Sequence, residues 1–334
     1  MKKILITGAS GFIGSFLVEE AIKQGWDVWA GIRISSDKTY LSDPSIHFIE
    51  LDFANKNTMS EQFFSLKRAS VTFDAIVHNA GITKSFKKQD FDLVNYQYTR
   101  NLIEALTDAA FVPKKFIYMS SLAAFGPGNE QTMRPITSKD KPNPITYYGK
   151  SKLKAEQFIT TLKDFPYIIL RPTGVYGPRE KDYFVMYKTI NRHLETYIGT
   201  DSQRITFLYI KDLTRLIIKI SVSNLFQKSY FVTDGNEYTT KEFSTLVKVQ
   251  LNRKTIPLVF PKKLVKPMAC ILEKCFAFGG SVPTLNTEKY KEISCRNWLC
   301  EGNQIWEELE IKPAYNLEKG LKETIYWYKQ NKML

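Results

Sequence analysis

An α/β fold with a doubly wound parallel sheet is predicted from three observations. Short apolar runs that suit buried strands alternate with helical patterns through residue 170. A turn rich in glycine joins the first strand to the first helix. The length of 334 residues is ample for such a core domain together with a smaller lobe. We therefore expect a parallel sheet domain and a smaller C-terminal α/β lobe that binds substrate.

The first strand, turn and helix indicate a dinucleotide-binding unit of the Rossmann type. Ile4 to Ile6 form a short apolar run, the turn follows, and a helical pattern continues to Ile22. Glycines let the backbone approach a pyrophosphate, and the free N–H groups of the helix start bind it. The residues expected to hold the cofactor here are Gly8, Gly11, Phe12, Ile13 and Gly14.

The second strand, Asp27 to Ile32, is followed by Arg33. At this position an acid binds a ribose 2′-hydroxyl, whereas an arginine accommodates a 2′-phosphate. Arg33 therefore favours NADP over NAD, and a solvated arginine at a strand end is the alternative. The third strand, Ile46 to Leu51, ends at Asp52 and Phe53, which we expect to contact the adenine.

The fourth strand, Ala75 to Val77, leads into His78 and a run of small residues. Small side chains let a cofactor pass close to the backbone, so we expect contacts from Asn79, Ala80 and Gly81. We interpret His78 as a packed histidine. The three histidines of the chain are not in metal-ligand spacing, so no metal is assigned.

Tyr148 and Lys152 are the strongest candidates for chemistry. They lie four residues apart in a predicted helix and therefore share a face, although a surface pair has the same spacing. A tyrosine ordinarily titrates near 10, and a nearby cation favours its phenolate, as a general base requires. Tyr147 competes for the role, but the residue four positions later is the uncharged Ser151. A hydroxyl of the serine pair Ser120-Ser121 is expected to hold the substrate oxygen.

With these motifs in order over roughly residues 1–235, the chain resembles the extended short-chain dehydrogenase/reductases, the NAD-dependent epimerase/dehydratase family. The matching segments are Gly8-Ala-Ser-Gly11-Phe-Ile-Gly14, Asp52, His78-Asn-Ala-Gly81, Val94-Asn95, Tyr118-Met-Ser-Ser121, Tyr148-Gly-Lys-Ser-Lys152 and Leu170-Arg-Pro-Thr-Gly-Val-Tyr-Gly-Pro178.

The resemblance implies a role for each matching residue. Tyr148 exchanges the proton, Lys152 binds the nicotinamide ribose and lowers the pKa of the tyrosine, and Ser121 is the catalytic serine. Pro172 and Val175 line the nicotinamide. The resemblance also implies that Asn95 supports the site and that two long helices, Leu93 to Leu106 and Tyr148 to Leu162, pair with their copies in a homodimer.

Two departures from the family pattern are informative. Family members that dehydrate sugars carry an Asp-Glu pair after the catalytic residue, whereas Leu122-Ala123 follow here, which argues against a 4,6-dehydratase. Arg33 stands where members that prefer NAD often have an acid.

The expected domain limits are 1–178 and 204–235 for dinucleotide binding, and 179–203 and 236–334 for the substrate-binding lobe. Residues Glu180 to Thr200 are expected to cross between them. The later elements are predicted as a strand at Ile205 to Ile210, a helix at Asp212 to Ile220, a strand at Tyr230 to Thr233 that returns to the core sheet, and a helix at Leu317 to Gln330.

The net charge of +13 is partly local. Residues 248–274 contain seven basic residues and one acidic residue. An apolar run from Met268 to Phe278 overlaps this stretch. We favour a solvated basic face over an ordinary amphipathic helix. Attraction of an anionic substrate and contact with an anionic membrane surface are the alternatives, whereas nucleic-acid binding lacks a motif.

Four cysteines lie in the last quarter of the chain at Cys270, Cys275, Cys295 and Cys300. Their spacing is not the usual close zinc pattern, so reduced, partly buried thiols are favoured over zinc or disulfides. No run approaches 18 apolar residues, so no membrane span is expected, and we expect a cytoplasmic protein.

The preferred functional hypothesis is an NAD(P)-dependent oxidoreductase that interconverts an alcohol and a carbonyl on a small or nucleotide-linked substrate. A nucleotide-sugar 4-epimerase with retained NAD would use the same residues and is the first alternative. A non-catalytic dinucleotide sensor or scaffold on the same fold is the second.

Overall fold

The computed structural model describes residues 1–199, 202–277 and 282–334. The strands in this part of the chain are β1 Lys3–Thr7, β2 Asp27–Ile32, β3 His47–Glu50, β4 Ala75–His78, β5 Lys115–Met119, β6 Tyr167–Pro172, β7 Gly174–Tyr176, β8 Leu194–Ile198, β9 Arg204–Ile205, β10 Phe207–Tyr209, β11 Lys228–Val232, β12 Tyr238–Thr239, β13 Ile256–Phe260 and β14 Asn297–Trp298.

The α-helices are α1 Phe12–Lys23, α2 Lys56–Arg68, α3 Lys88–Asp92, α4 Tyr98–Asp108, α5 Tyr147–Thr160, α6 Asp182–Asn191, α7 Ile210–Ser221, α8 Thr240–Leu251, α9 Lys262–Ala277, α10 Thr287–Ser294, α11 Gln304–Glu308 and α12 Leu317–Gln330. A π-helical turn, Leu93–Gln97, joins α3 to α4, and a 3-10 turn, Leu122–Ala124, follows β5. None of the described helices is long and apolar enough to cross a membrane.

The central sheet confirms the predicted fold class. Seven parallel strands lie in the order β11-β6-β5-β4-β1-β2-β3. Helices α1 and α7 pack on one face, while α2, α4 and α5 pack on the other, so β1 and its neighbours are buried from both sides. The strand order reverses between β1 and β4, and at such a point the carboxyl ends of the strands open a crevice for a ligand.

Two predicted elements are interrupted in the structure. The helix expected from Leu93 to Leu106 contains the π-helical turn, which turns the side chain of Asn95 inward. The strand expected from Ile205 to Ile210 is divided at Thr206, where the chain leaves β14 and pairs with β7 instead. The buried hydroxyl of Thr206 hydrogen-bonds Thr173 at 2.8 Å, which fixes this switch.

The C-terminal part of the chain forms smaller sheets and their helices. Strands β12, β9 and β14 form a three-stranded sheet, and β13 pairs with β8. Helix α12 has the predicted bounds and packs against α8. The crossing segment contains α6 and β8, and its expected end at Thr200 lies outside the described residues.

A buried ion pair joins helix α5 to strand β6. The carboxylate of Glu156 accepts hydrogen bonds from the guanidinium of Arg171 at 3.0 and 2.8 Å. It also accepts a hydrogen bond from the hydroxyl of Ser120. The guanidinium lies between the rings of Phe125 and Phe231, 4.5 and 5.3 Å from their centroids. Every group of this cluster is therefore paired, which a buried charge requires.

We expect Glu156→Gln to lower the free energy of unfolding by about 3–5 kcal/mol, because it leaves the guanidinium of Arg171 buried without a counter-charge. Urea denaturation followed by circular dichroism measures the change. Asp92→Asn is the matched control, since the Lys154–Asp92 pair is exposed and its loss should cost under about 1 kcal/mol. Equal losses in the two variants would contradict the interpretation.

Candidate active site

The glycine-rich turn after β1 is packed too tightly for side chains. Gly8 has a φ of +66°, and a Cβ there would lie 2.9 Å from the backbone of Ala80. A Cβ on Gly14 would lie 2.1 Å from the carbonyl oxygen of Gly8. The turn can therefore approach both the end of β4 and the start of α1 only because these positions are glycine.

The N-terminus of α1 fits a pyrophosphate. Gly11 is the N-cap residue and is exposed, and no side chain caps the helix. The first N–H groups of the helix, from Phe12, Ile13 and Gly14, therefore lack a side-chain acceptor within this turn and are available to an anion.

The end of β4 lies beside this turn, as the sequence predicts. The amide of Ala80 donates to the hydroxyl of Thr7 at 3.2 Å, and the side chain of Asn79 donates to the carbonyl of Gly8 at 3.5 Å. His78 is buried between hydroxyl groups of Thr7 and Thr99, at 2.8 and 2.9 Å. Burial and the charge of Lys152 lower the pKa of His78 to about 3, so the imidazole is neutral and has a packing role.

The residues expected at the adenosine end occupy different environments. Arg33 and Asp52 are exposed near the ends of β2 and β3. The side chain of Phe53 is buried instead, and its ring packs against those of His78 and Tyr98. Phe53 therefore belongs to the core as well as to the edge of the crevice.

Ser121 and Tyr148 meet above the end of β5. Thr146 caps helix α5 by accepting the N–H of Gly149 at 3.0 Å, and this cap places Tyr148 in the first turn. The hydroxyl of Ser121 lies close enough to the phenol to affect its pKa. Burial raises the pKa of Tyr148 to about 12, and the hydroxyl of Ser121 opposes that rise.

Lys152 lies one helical turn further along α5 and is only 4% exposed. Its ammonium group donates to the carbonyl of Met119 at 2.7 Å and lies 4.9 Å from the centroid of Tyr118. A Cβ on Gly81 would be 3.3 Å from the same nitrogen, so the lysine borders the small residues after β4. Burial lowers the pKa of Lys152 to about 8, although the negative charge of Glu156 acts to raise it.

Asn95 supports this arrangement from the π-helical turn. Its amide accepts the N–H of Ile82 at 2.8 Å and donates to the hydroxyl of Ser151 at 3.0 Å. It thus ties the segment after Gly81 to helix α5. Among the residues expected near the nicotinamide, Pro172 is buried at the end of β6 and Val175 is partly buried in β7.

The C-terminal lobe adds charged groups that the sequence did not reveal. Helix α10 brings Lys289 and Glu292, which form a 3.0 Å ion pair, close enough to Tyr148 to affect its pKa. Glu292 raises that pKa and Lys289 lowers it. Burial lowers the pKa of Lys289, but the nearby Glu292 and Tyr183 raise it by more. The pKa of this lysine is therefore raised above its ordinary value.

A second cation lies near Tyr148 besides the predicted Lys152. The charge of Lys289 favours the phenolate of Tyr148. The ammonium of Lys152 donates to the carbonyl of Met119, and its predicted effect on the pKa of the tyrosine stays a prediction. No motif marks Lys289, because it comes from another lobe and only tertiary packing places it here.

Glu180 is a further carboxyl group near these residues. It accepts the N–H groups of Asp182 and Tyr183 at 2.6 and 2.7 Å and so begins helix α6. Burial raises the pKa of Glu180 to about 7, while these two hydrogen bonds oppose the rise. At neutral pH this group can therefore exist with or without its proton.

All four cysteines carry free thiols, with Cys300 buried and Cys275 exposed. Within the described ranges, no group of three or more His, Cys, Asp or Glu side chains is arranged to hold a metal ion.

Comparison with known proteins agrees with this fold. The model of the NAD dependent epimerase/dehydratase family matches residues 4–228. The chain therefore belongs to the NAD-dependent epimerase/dehydratase family.

Individual relatives are distant and differ in the activity that they are named for. The chain is 27% identical to a UDP-glucose 4-epimerase of Vibrio cholerae over 97% of this chain and 94% of that protein. It is 21% identical to a ceramide reductase of Caulobacter vibrioides over 98% and 94% of the two chains. The crystal structure of a UDP-glucose 4-epimerase with UDP-glucose from Thermotoga maritima has a TM-score of 0.77 at 22% identity, over 98% and 99% of the chains.

We expect the buried charge of Lys152 to make stability depend on pH. Below pH 8 the folded and unfolded chains both carry the proton, so the cost of burying it is complete. Between pH 8 and 10.5 the folded chain releases the proton while the unfolded chain keeps it, and stability rises with pH. Across this window, the free energy of unfolding of the unmodified protein should rise by up to about 3 kcal/mol relative to that of Lys152→Met.

Urea denaturation of both proteins at pH 7 and at pH 10 measures this difference. Lys150→Met is the matched control, because Lys150 is exposed on the same helix and its loss should leave the pH dependence unchanged. A constant difference between Lys152→Met and the unmodified protein at all pH values would show that the lysine keeps its ordinary pKa.

Proposed function

We propose that this protein is an NAD(P)-dependent oxidoreductase that interconverts an alcohol and a carbonyl group on a small or nucleotide-linked substrate. The supporting observation is the convergence of Ser121, Tyr148 and Lys152 beside the small residues that follow β4. A phenol, a hydroxyl and an ammonium group lie together at the carboxyl ends of β4 and β5, where ligands of such sheets bind.

The residues that would hold the dinucleotide are the uncapped N-terminus of α1, Gly81 and Lys152. When bound, the nicotinamide supplies or accepts the hydride. In this proposal Tyr148 exchanges a proton with the substrate oxygen, and Ser121 holds the same oxygen by a hydrogen bond. Lys152 provides positive charge and orientation on the same face of α5.

The protonated phenol of Tyr148 is suited to donate a proton at neutral pH. Burial raises the pKa of the phenol to about 12, so its proton is present and available for a substrate oxygen that gains negative charge. The partly buried Lys289 adds a positive charge near the phenol, which would assist loss of that proton during the reaction. Similarity to a protein named as a reductase, over 98% of this chain, agrees with a net reduction.

A nucleotide-sugar 4-epimerase is the second candidate. The similarity to a UDP-glucose 4-epimerase over 97% of this chain favours it. Both reactions need the same hydroxyl, phenol and ammonium, so these three side chains do not distinguish them. Retention of the cofactor does, because an epimerase returns the hydride to the substrate and keeps NAD bound.

We expect Tyr148→Phe to lower turnover by about 10²–10⁴-fold, because it removes the proton donor, while dinucleotide binding is retained. The purified protein is first denatured to release any bound dinucleotide, which is identified by mass. The stripped protein is then titrated with NADH and NADPH and assayed with a panel of ketones by reduced-cofactor absorbance. Conversion of UDP-glucose by the protein as purified is followed by chromatographic separation of the sugar nucleotides.

Tyr147→Phe is the matched control for this experiment, since the neighbouring phenol lies outside the proposed triad and should be dispensable. An empty protein that uses exchangeable reduced cofactor supports the reductase, whereas stoichiometric, tightly held NAD supports the epimerase. Full activity of Tyr148→Phe would overturn the proposed role of the tyrosine in either reaction.

The preference for NADP rests on Arg33 alone. Its side chain is exposed after β2, and within the described part of the chain it has no recorded ion-pair partner, so it is available to a 2′-phosphate. Arg33→Ala should weaken NADPH binding by about tenfold or more and leave NADH binding nearly unchanged, because a charge-assisted bond to phosphate is worth about 1.5–3 kcal/mol. Fluorescence titration with both dinucleotides measures this. Equal effects on the two would remove the reason for preferring NADP.

A further inference from the structure

The C-terminal lobe exposes a two-stranded sheet whose outer face is apolar. Strands β8 and β13 are parallel, with Ile256 beside Leu194 and Leu258 beside Thr196. Side chains alternate between the two faces of a strand, so Leu194, Ile256 and Leu258 lie on one face. Their exposed fractions are 37%, 64% and 37%. An apolar sheet face is ordinarily covered, because two strands alone are marginally stable in water.

The opposite face of this sheet is covered at strand β8, whereas Val259 of β13 is 52% exposed there. Glu195 of β8 is buried and accepts hydrogen bonds from Lys248 of helix α8 at 3.0 Å and from Thr255 at 2.8 Å. Burial raises the pKa of Glu195, but these two bonds and one from Tyr197 lower it by more, so the pKa is lowered. Strand β8 is thus anchored to the lobe through Glu195.

Helix α9 begins two residues after β13 and exposes apolar side chains of its own. Leu264, Met268 and Ile271 follow a helical spacing of four and three residues, which places them on one face. Their exposed fractions are 56%, 40% and 61%, whereas Val265 and Ala269 are buried. We call Leu194, Ile256, Leu258, Leu264, Met268 and Ile271 together the apolar face.

Exposed basic residues accompany the apolar face along the chain. Lys263, Lys266 and Lys274 are exposed on α9, and Arg253 and Lys254 are exposed directly before β13. No carboxylate partner is recorded for the three lysines of α9 within residues 1–199, 202–277 and 282–334. A helix with exposed apolar residues and lysines beside them has the composition of a segment that lies in a membrane interface.

We propose that the apolar face and the accompanying basic residues bind the surface of an anionic membrane. The apolar side chains would enter the region between headgroups and acyl chains, and the lysines would contact the anionic headgroups. A second copy of this chain is a poorer occupant, because its own basic residues would approach charges of the same sign. A solvated basic face, as the sequence suggests for residues 248–274, would account for the lysines. It would not explain why Leu264, Met268 and Ile271 are exposed.

The proposed membrane contact is connected to the candidate active site. The side chain of Glu273 in α9 accepts the N–H of Thr287, the first residue of α10, at 3.2 Å. In α10, Glu288 accepts the N–H of Tyr147 at 2.5 Å, and Lys289 affects the pKa of Tyr148. One helix thus separates the membrane contact from the catalytic tyrosine.

Sedimentation with vesicles tests the proposal on the complete chain. The probes are vesicles of phosphatidylcholine alone and of phosphatidylcholine mixed with phosphatidylglycerol. We expect binding to the mixed vesicles that weakens as salt is added, and little binding to phosphatidylcholine alone. Lys263→Glu/Lys266→Glu/Lys274→Glu should weaken binding by about tenfold or more, because each lysine near the surface contributes. Leu264→Ser/Ile271→Ser should weaken it by about tenfold as well, through loss of apolar burial.

Matched controls change similar side chains elsewhere. Val249→Ser/Tyr326→Ser removes two exposed apolar residues, and Lys139→Glu/Lys322→Glu/Lys332→Glu reverses three exposed lysines, with no loss of vesicle binding expected beyond the change in net charge. Circular dichroism melts and dinucleotide affinity verify that every variant is folded. The test does not use turnover, so it stands apart from the proposed reaction.

Three results would overturn the proposal. The unmodified protein could fail to sediment with anionic vesicles at low salt. The lysine variant could lose binding while the leucine and isoleucine variant keeps it, which would indicate adsorption by charge without an apolar contact. Alternatively, size-exclusion chromatography could show a dimer that only the leucine and isoleucine variant loses, which would assign the face to a second copy of this chain.

Discussion

The buried ammonium of Lys152 is the constraint on which the candidate site depends. A charge that is only 4% exposed must be paired or hydrogen-bonded, and this one is bonded to the carbonyl at the end of β5. The space for it exists because residue 81 is glycine and because Asn95, on the π-helical turn, holds the following segment against α5. The ends of two strands and the position of one helix are thus fixed around a single group.

This arrangement is costly for stability and useful for chemistry. Burial lowers the pKa of Lys152 and raises that of Tyr148, so both groups resist the charge that the reaction needs from them. Natural sites retain such groups where function requires them and compensate elsewhere. The neighbouring Glu156–Arg171 pair joins α5 to β6 with its two opposite charges paired.

Much of the sheet domain could be predicted from the sequence because its determinants are local. Glycines at 8 and 14 are required by close backbone contacts, and the spacing of Tyr148 and Lys152 follows from one helical turn. Other features depend on distant parts of the chain and left no local pattern. The division of a strand at Thr206 needs Thr173 and Trp298, and the charges of Lys289 and Glu292 reach Tyr148 only through tertiary packing.

The features with local determinants lie mostly in the part of the chain that matches the family, and those with distant determinants involve the part beyond it. Residues 4–228 carry the family match and hold the dinucleotide turn, the phenol and the ammonium. Helices α9 and α10 lie after that range. Helix α9 holds Leu264, Met268 and Ile271 of the apolar face, and α10 holds the charged pair near Tyr148. Because Glu273 ties one helix to the other, the surroundings of Tyr148 and the outer surface of helix α9 are connected through a single hydrogen bond. A contact made on that surface would therefore act on the helix that carries the charged pair near Tyr148.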